Sequence, residues 1–483
     1  MDETAGQARR IMLRDAPAFG FAALVVGALC FVPTIFSDPE TYWHIATGEW
    51  ILRHHVVPTA DPFSWSLTGR LWTAHEWLVD VVLALGFNLA GWGGVAVLTA
   101  LAAGGLFALL GRYLLGGLPL RATLIFLIFV AFGAAPSLLA RPHLFALPIL
   151  AGWTIGLFEA RAARRAPSLW LLPLMLLWAN LHASFVLGLA LIGPLALEAL
   201  AESTEGRAKA FWRWSLFGAA ALLLTLLNPQ GVQGLLYPFQ VVNMAALPLI
   251  LEWQSARFDT ITPFQAVLFE GLFFLLWLGV RVPPLRLLVL LGMLYLALHH
   301  VRQQIVFVVM ATLLLRDPLA QGLKARFPGE TRDLGFGARR VIGFCSAAGV
   351  LAVALLRLGL PLERSDDTIT PQSALAAVPA PLRQQRVLNG YNFGGYLIFK
   401  GIPTFIDGRS DMFGDAFVAE YFALKTAPVD KIGRALDTNR IDWTLLEPTD
   451  PLVRNLDRIE GWRRIYSDRF AVVHARSSTT AGR

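Results

Sequence analysis

An acidic segment that also contains a histidine follows directly after the first apolar stretch of the chain. Residues 37–44 read SDPETYWH and come after the apolar stretch 17–36, so Asp38, Glu40 and His44 are expected at a membrane surface. Ionisable side chains are costly to place there and usually serve a function. Asp38 could transfer a proton, and Asp38 with His44 could ligate a divalent ion, Mg²⁺ or Mn²⁺.

A second acidic and histidine-containing segment, WTAHEWLVD at 72–80, supplies His75 and Glu76 before the next apolar stretch. Cations recur in the short turns expected on the same side of the membrane, and charges gathered at one face of several spans are typical of a water-filled site. Together with His75 they could neutralise a phosphate group. These cationic candidates are Arg141, His143, His182, Arg257 and Arg302.

The elements that must position these side chains are membrane helices. The chain has 483 residues, of which 55% are hydrophobic and 16% charged, a balance too apolar for a soluble protein of this length. Membrane helices need about 20 apolar residues. The predicted spans, about eleven, are 17–36, 92–111, 122–136, 143–160, 169–181, 183–200, 211–227, 263–280, 284–300, 303–315 and 341–360.

The distribution of basic residues predicts the orientation of these spans. With the N-terminus in the cytoplasm, the inner loops hold most of the Lys and Arg, beginning with Arg9 and Arg10. The outer loops up to residue 360 hold only Arg53, Arg70, Arg141, Arg257 and Arg302. The odd number of spans then places the C-terminal tail outside. This arrangement also accounts for the net charge of +7, so we expect no nucleic-acid partner.

The predicted fold is mostly α: a polytopic helical membrane protein, N-terminus in and C-terminus out, with an extracytoplasmic α/β domain at its C-terminus. Residues 1–360 form the membrane part, including a long first outer loop at 38–91, and residues 361–483 form the soluble domain. In the tail we expect strands near 386–388, 403–406, 441–446, 463–466 and 470–475, and helices near 392–400, 415–425, 429–438 and 450–458.

Carboxylates beside cations at a membrane surface suit sugar transfer from a phosphate-linked lipid. The acceptor hydroxyl must lose its proton, and the departing phosphate must have its growing charge neutralised. Asp38 or Glu76 would serve as the base, or either would hold a divalent ion that grips the phosphate. The proposal requires Asp38 and the cations of the distant turns to share one pocket.

The first two spans and the loop between them resemble the GT-C superfamily of polyprenyl-phosphate-sugar glycosyltransferases. The acid directly after the first span, the following helix and the Trp-rich helix start are similar to the aminoarabinose transferase and protein O-mannosyltransferase branch. The resemblance implies a polyprenyl-phosphate-linked sugar donor, a lipid, glycan or protein acceptor, and a site on the outer face of a bacterial cytoplasmic membrane. It implies catalytic roles for Asp38, Glu40 and Glu76.

The tail resembles a family of uncharacterised bacterial multispan proteins through LNGYNFGGYL at 388–397 and FIDGRSDMFG at 405–414. The same region is faintly similar to the acceptor-recognising outer domain of oligosaccharyltransferases. That similarity implies acceptor binding by Tyr391, Asn392, Asp407, Arg409 and Asp411. The alternative is that Asp407 and Arg409 form a buried ion pair that fixes the loop.

Two other functions remain open from the sequence. A multispan transporter would carry polar groups deep within its spans, whereas the polar residues here cluster at one face. A non-catalytic membrane scaffold of envelope glycan assembly would use the tail for partner binding. Replacement of Asp38 by Asn separates both from a transferase.

Overall fold

The computed structural model describes residues 14–203, 206–329 and 334–477. Arg9 and Arg10, which entered the orientation argument, lie outside these ranges. The described chain is mostly helical and forms two compact units. The first unit comprises the residues up to Ile35, Gly93–Pro238 and Leu251–Pro361, and the second comprises Phe36–Trp92, Phe239–Ile250 and the residues from Leu362 onward.

Apolar helices make up most of the first unit, and several are long enough to cross a membrane. Five helical stretches satisfy both length and hydropathy, namely Trp77–Leu115, Leu120–Ser137, Pro142–Ala162, Val301–Arg326 and Phe336–Gly359. Five shorter apolar helical stretches are Ala16–Leu29, Leu169–Leu181, Phe185–Ala201, Pro263–Trp277 and Pro284–His299. The chain is therefore a multi-pass membrane protein.

The α-helices up to residue 360 are numbered in chain order. They are α1 Ala16–Leu29, α2 Glu40–His54, α3 Trp77–Leu115, α4 Leu120–Ala134, α5 Pro142–Ala162, α6 Leu172–Leu181, α7 Phe185–Ala201, α8 Arg207–Leu224, α9 Val232–Val242, α10 Pro263–Trp277, α11 Pro284–His299, α12 Gln304–Arg326 and α13 Phe336–Gly359. Each predicted span overlaps one of these helices, but the helix in 17–36 ends at Leu29, and 211–227 falls on Arg207–Leu224, which is not among the ten apolar stretches given above. Helix α3 consists of two helices joined at the non-helical backbone of Ala90 and Gly91, so the predicted start of the second span at residue 92 agrees with this break.

Small residues let helices of the first unit approach closely. On α3, a Cβ at Gly104 would stand 2.4 Å from Cγ2 of Val26, and one at Gly111 would stand 2.7 Å from Cβ of Ala18. Both partners lie on α1. Because lipid tails are as apolar as the side chains, close van der Waals contact of this kind replaces the hydrophobic effect in holding membrane helices together.

A buried ion cluster joins three helices of the first unit near their ends. Glu198 of α7 contacts Arg286 of α11, with Oε1 3.2 Å from Nε, and Arg161 of α5, with Oε2 3.0 Å from Nε. Charges inside apolar surroundings persist when they are paired. This cluster therefore fixes the spacing of α5, α7 and α11.

The second unit is built around a small mixed sheet in the tail. Its α-helices after residue 361 are α14 Gln372–Ala377, α15 Ala380–Arg383, α16 Gly394–Phe399, α17 Ser410–Leu424, α18 Val429–Thr438 and α19 Pro451–Leu456, and its strands are β1 Val387–Asn389, β2 Trp443–Leu446, β3 Trp462–Ser467 and β4 Val472–Arg476. The strand order is β1-β2-β4-β3, with β1 parallel to β2 and the other two pairs antiparallel. Residues 403–406, predicted as a strand, form only an isolated bridge between Thr404 and Ser64.

Side chains of residues 36–92 are part of the hydrophobic core of the second unit. Trp43 and Trp72 are buried in the same cluster as Ile406, Phe413 and residues of the sheet. The sequence prediction grouped residues 38–91 with the membrane part, whereas residues 36–92 belong to the compact unit that contains the tail. The shared apolar core explains this grouping, because burying Trp43 and Trp72 removes large apolar surfaces from water.

Candidate functional site

Asp38 stands at the start of α2, where the chain turns into the helix. Its Oδ1 accepts a hydrogen bond from the backbone N–H of Glu40 at 2.8 Å, and the residue is 7% exposed. This contact satisfies one of the backbone donors that a helix start leaves without a partner within the helix. The carboxylate of Asp38 is therefore held in one orientation at the helix start.

Two glycines of the tail give the segment at Asp38 and Glu40 room to pack. A Cβ at Gly395 would stand 2.2 Å from the carbonyl oxygen of Pro39, and one at Gly408 would stand 3.1 Å from Cγ of Glu40. Real Cβ atoms do not approach backbone oxygen to 2.2 Å. The motif glycine at 395 is thus explained by close packing of α16 against the backbone beside Asp38.

His44, one turn and a half further along α2, lies against two carboxylates from the start of α3. Its Nδ1 is 2.6 Å from Oδ1 of Asp80, and its Nε2 is 3.8 Å from Oε2 of Glu76. His44 and Asp80 are almost completely buried. A carboxylate on Nδ1 fixes the ring orientation and directs Nε2 toward Glu76.

Asp80 was not among the residues selected from the sequence, although a signal was present. It stands four positions after Glu76, a spacing that places two side chains on one face of a helix. The segment around Asp80 precedes the break at Ala90 and Gly91 and lies outside the span predicted from residue 92.

His75 lies beside the same acidic group. Its Nε2 is 3.5 Å from Oε1 of Glu76, and Asp411 of the tail also acts on it electrostatically. Burial lowers the pKa of His75, but the Glu76 carboxylate and Asp411 outweigh burial, so the pKa is raised above its ordinary value. Glu76, His75, His44 and Asp411 are thus brought into one cluster, which we call the Glu76 cluster.

The pair proposed as metal ligands, Asp38 and His44, does not by itself form a metal centre. His44 Nδ1 is engaged by Asp80, and the described residues contain no group of three or more His, Cys, Asp or Glu side chains able to hold one ion. Mg²⁺ and Mn²⁺ prefer about six ligands, most of them oxygen. These two residues therefore do not fit such an ion on their own.

In the first unit, Arg141 and Arg302 converge on Glu252, which the sequence prediction had not assigned a role. Arg141 Nη1 contacts Glu252 Oε2, and Arg302 Nη1 donates to Oε1 at 2.9 Å. The Arg302 guanidinium also lies 4.4 Å from the ring centre of Trp253. We call Arg141, Glu252 and Arg302 the Glu252 cluster.

The two arginines determine the charge of Glu252. Burial raises the pKa of this carboxyl, but Arg141 and Arg302 outweigh burial and lower the pKa to about 2. The loop that carries Glu252 is held by backbone hydrogen bonds from Val301 to Gln254 and from Ala256 to Leu298. The carboxylate therefore stands, ionised and fixed, between two cations predicted to bind phosphate.

The other predicted phosphate ligands are dispersed. His143 donates from Nε2 to the carbonyl oxygen of Ser137 at 2.8 Å and acts electrostatically on Glu252. His182 Nδ1 accepts from the backbone N–H of Ser184 at 3.1 Å, just before α7 begins. Arg257 is exposed and paired with Asp259 at 3.0 Å. Of the predicted set, Arg141, His143 and Arg302 lie together.

The tail residues predicted to bind an acceptor differ in exposure. Arg409 is buried, and its guanidinium donates to both oxygens of Asp407, at 2.8 and 2.7 Å, and to Oδ1 of Asp61 at 2.7 Å. Burial lowers the pKa of Arg409, but the two carboxylates outweigh burial and raise it. The burial of Asp407 and Arg409 favours the structural alternative that the sequence left open.

Tyr391 and Asn392 are more accessible than this pair. The Tyr391 hydroxyl is 2.6 Å from Oγ of Ser410, and the exposed Asn392 donates from Nδ2 to Oε1 of Glu447 at 3.4 Å. Asp411 is partly exposed and near His75, as described for the Glu76 cluster. These three residues are the part of the predicted acceptor set that remains reachable from solvent.

The chain is similar in structure to two solved membrane enzymes. ArnT from Cupriavidus metallidurans bound to undecaprenyl phosphate matches with a TM-score of 0.53 and 14% identity, over 96% of this chain and 98% of ArnT. The Archaeoglobus fulgidus oligosaccharyltransferase in the apo form matches with a TM-score of 0.53 and 11% identity, over 89% of this chain and 69% of that enzyme. The same oligosaccharyltransferase, tethered with an acceptor peptide, matches with a TM-score of 0.50 and 12% identity.

Both relatives are GT-C polyprenyl-phosphate glycosyltransferases, and the chain has their fold over nearly its whole length. The resemblance noted from the sequence is thereby confirmed at the level of the fold. No protein-family model matches the chain, and a search of curated proteins finds no match.

Proposed function

We propose that the chain is a glycosyltransferase that moves a sugar from a polyprenyl-phosphate-linked donor to an acceptor on the outer face of the bacterial cytoplasmic membrane. The observation that carries the proposal is Asp38, an almost fully buried and oriented carboxylate directly after the first helix, in a chain with the GT-C fold. The undecaprenyl phosphate bound to ArnT supports a donor of this class.

In the proposed reaction Asp38 acts as the general base. The acceptor hydroxyl attacks the anomeric carbon of the donor sugar, its proton passes to the Asp38 carboxylate, and the bond from that carbon to the phosphate oxygen breaks. The products are the glycosylated acceptor and the polyprenyl phosphate. Removal of a positioned general base typically costs about 10²–10⁴-fold in rate.

Other residues of the second unit are proposed to support the acceptor. Glu40 begins the helix that Asp38 precedes, and the Glu76 cluster supplies carboxylates and imidazoles that can hold hydroxyl groups by hydrogen bonds. Tyr391, Asn392 and Asp411 are proposed acceptor contacts, because they remain accessible.

Arg141 and Arg302 are proposed to bind a phosphate group within the first unit. Two guanidinium groups that already converge on one carboxylate present the fork geometry that phosphate oxygens also accept. A phosphate bound there would compete with Glu252 for the same donors. His143 contributes to this cluster, whereas His182 and Arg257 are proposed only as weaker contributors, because both have local partners.

The test of the proposal is Asp38→Asn in cells that otherwise lack the gene. Asn retains an oxygen that can accept the Glu40 N–H, so the helix start is kept while the basic carboxylate is lost. We expect one defined saccharide to disappear from the glycan and glycolipid profile without the gene, to return with the wild-type chain, and to stay absent with D38N.

The matched control is Asp468→Asn. Asp468 also accepts backbone N–H groups, from Phe470 and Ala471 at 2.7 Å each, but it stands in the turn between β3 and β4. D468N should restore the saccharide fully, and both variants should reach the wild-type protein level. A D38N chain that restores the saccharide would exclude Asp38 as the base and favour the transporter or scaffold.

A further inference from the structure

A cleft lined by cations lies in the first unit, and the proposed sugar transfer does not use it. It is formed by the turn that follows α5, the C-terminal end of α7 and the first two turns of α8. Its cationic side chains are Arg164, Arg165, Lys209 and Arg213. Among the described residues that line the cleft there is no Asp or Glu, so the lining is positively charged.

The cleft lies at the opposite end of α5 from the Glu252 cluster. Arg141 directly precedes α5, whereas Arg164 follows two residues after the helix ends at Ala162. The 21 residues of α5 extend over about 30 Å, which is the approximate thickness of the hydrocarbon core of a membrane. A group bound in the cleft is therefore separated by the length of a membrane helix from the proposed phosphate site.

Two of the four cations are available to an anionic ligand. Arg164 and Arg165 are exposed, and neither side chain makes a hydrogen bond or an ion pair within the part of the chain that the structure describes. The carboxylates at the C-terminal end of α7, Glu198 and Glu202, contact Arg161 instead. These carboxylates therefore do not neutralise the two exposed arginines.

A nearly buried indole adds a neutral hydrogen-bond donor to the lining. Trp214 is 3% exposed, and its N–H donates no hydrogen bond to any of the residues that the structure describes. Buried polar groups are nearly always hydrogen-bonded, so this N–H indicates an acceptor atom from outside the chain. Ser203, also in the lining and partly buried, offers a hydroxyl group. Cations beside neutral donors suit the oxygens of a phosphodiester.

Large apolar side chains are exposed next to these cations. Leu169 and Trp170, which follow the two exposed arginines in the same connection, are 71% and 85% exposed, and Phe211 and Trp212 of α8 are 50% and 63% exposed. Tryptophan is enriched at the headgroup level of membranes, and apolar residues beside cations are typical of segments at the membrane surface. A lipid contacts both kinds of side chain, because it joins a charged headgroup to acyl chains.

We propose that this cleft binds the headgroup of an anionic phospholipid of the phosphatidylglycerol class. Arg164 and Arg165 pair with its phosphate oxygens, and the Trp214 N–H donates to a headgroup oxygen, while the exposed apolar side chains contact its acyl chains. Basic pockets between membrane helices bind acidic headgroups in the same way. The proposal does not rest on sugar transfer, because the site lies at the other end of α5 and shares no residue with the proposed reaction.

The test measures lipid binding to the full chain in detergent by native mass spectrometry. The chain is titrated separately with dioleoyl phosphatidylglycerol and dioleoyl phosphatidylcholine, which have the same acyl chains and differ in headgroup charge. We expect the wild type to bind the first phosphatidylglycerol at least about tenfold more tightly, because the choline headgroup neutralises its own phosphate. Equal affinities for the two lipids would overturn the proposal, and this comparison needs no variant.

The diagnostic variant carries Arg164→Gln and Arg165→Gln together, since both side chains are exposed and their loss breaks no contact within the described chain. We expect it to bind phosphatidylglycerol about tenfold more weakly and phosphatidylcholine as the wild type does. The matched control carries Arg121→Gln and Arg281→Gln, two exposed arginines outside the cleft that also make no side-chain contact of this kind. The control should bind phosphatidylglycerol like the wild type. Equal losses in the two double variants would show a general effect of net charge and refute the site.

A competition experiment distinguishes a lipid from a soluble anion. Glycerol 3-phosphate presents the phosphate and glycerol of the headgroup without acyl chains, so it reaches the cations but not the exposed apolar side chains. We expect it to leave phosphatidylglycerol bound when both are present at equal concentration. Displacement of the lipid under that condition would show that the cleft is a site for soluble phosphates and would overturn the proposal.

Discussion

Replacing Arg409 by Met separates a structural role of the tail motif from a role in acceptor binding. Arg409 is buried between Asp407 and Asp61, and its guanidinium makes hydrogen bonds of 2.7–2.8 Å to both carboxylates. It also lies 4.8 Å from the ring centre of Trp72. Methionine preserves much of the apolar contact but leaves two buried carboxylates without their shared cation.

The expected cost is large because the carboxylates are not reachable by water. Breaking a buried ion pair from one side typically costs about 3–5 kcal/mol. For a unit of this size that corresponds to a decrease in melting temperature on the order of 10 °C. Arg409→Lys keeps the charge but loses the planar fork that reaches both partners, so we expect an intermediate decrease.

The measurement is the melting temperature of the full chain in detergent, monitored by scanning fluorimetry. The matched control is Arg434→Met on α18, whose pairing with Asp430 is exposed, the two side chains being 71% and 65% accessible. Exposed pairs contribute less than about 1 kcal/mol, so R434M should melt close to the wild type.

A melting temperature of R409M equal to that of R434M would refute this reasoning. It would mean that Asp61 and Asp407 are not held by Arg409. If transfer activity were lost at the same time with unchanged stability, Arg409 would be an acceptor contact after all.

Two further predictions concern close packing and pH. Gly395→Ala should destabilise the chain by about 1–3 kcal/mol, because the new Cβ would stand 2.2 Å from the Pro39 carbonyl oxygen. In the control Gly433→Ala, in α18, the new Cβ meets no atom within 4 Å, so this variant should be neutral or stabilising. Equal melting temperatures of the two variants would contradict the packing at Asp38. Glu252 has its pKa lowered to about 2 from an ordinary value of 4.5, so its stabilising contribution is complete above about pH 4.5 and is lost as the pH falls toward 2. Glu252→Gln should therefore melt lower than the wild type at pH 7, with a difference that shrinks in acid, and a constant difference between pH 7 and pH 3 would exclude this linkage.

The helices of the first unit were predictable because hydropathy is a local property. A stretch of apolar residues is stable in lipid only if its own backbone hydrogen bonds are satisfied, so each span could be recognised without its neighbours. Helix α18 was also predictable locally, but from helical periodicity, because its buried residues Ile432 and Leu436 stand four positions apart; the predicted range 429–438 coincides with the helix Val429–Thr438. The predicted start of the second span at residue 92 follows directly after the break at Ala90 and Gly91.

The strands show where local patterns fail. The strands expected near 386–388 and 441–446 are present as Val387–Asn389 and Trp443–Leu446, and they pair with each other in the sheet. Residues 403–406 have a similar apolar pattern but only an isolated bridge, because no neighbouring strand offers them a ladder of hydrogen bonds. Strand formation depends on a partner, which the local sequence does not contain.

By itself the sequence determined the membrane helices, the acid that follows the first helix and the glycine-rich tail motif. Only the tertiary structure paired Arg409 with Asp61, 348 positions away, and Arg141 with Glu252, 111 positions away. It also revealed the buried contact between His44 and Asp80. Ion pairs across such separations arise when packing removes both charges from water, and chain composition alone does not specify which charges will meet.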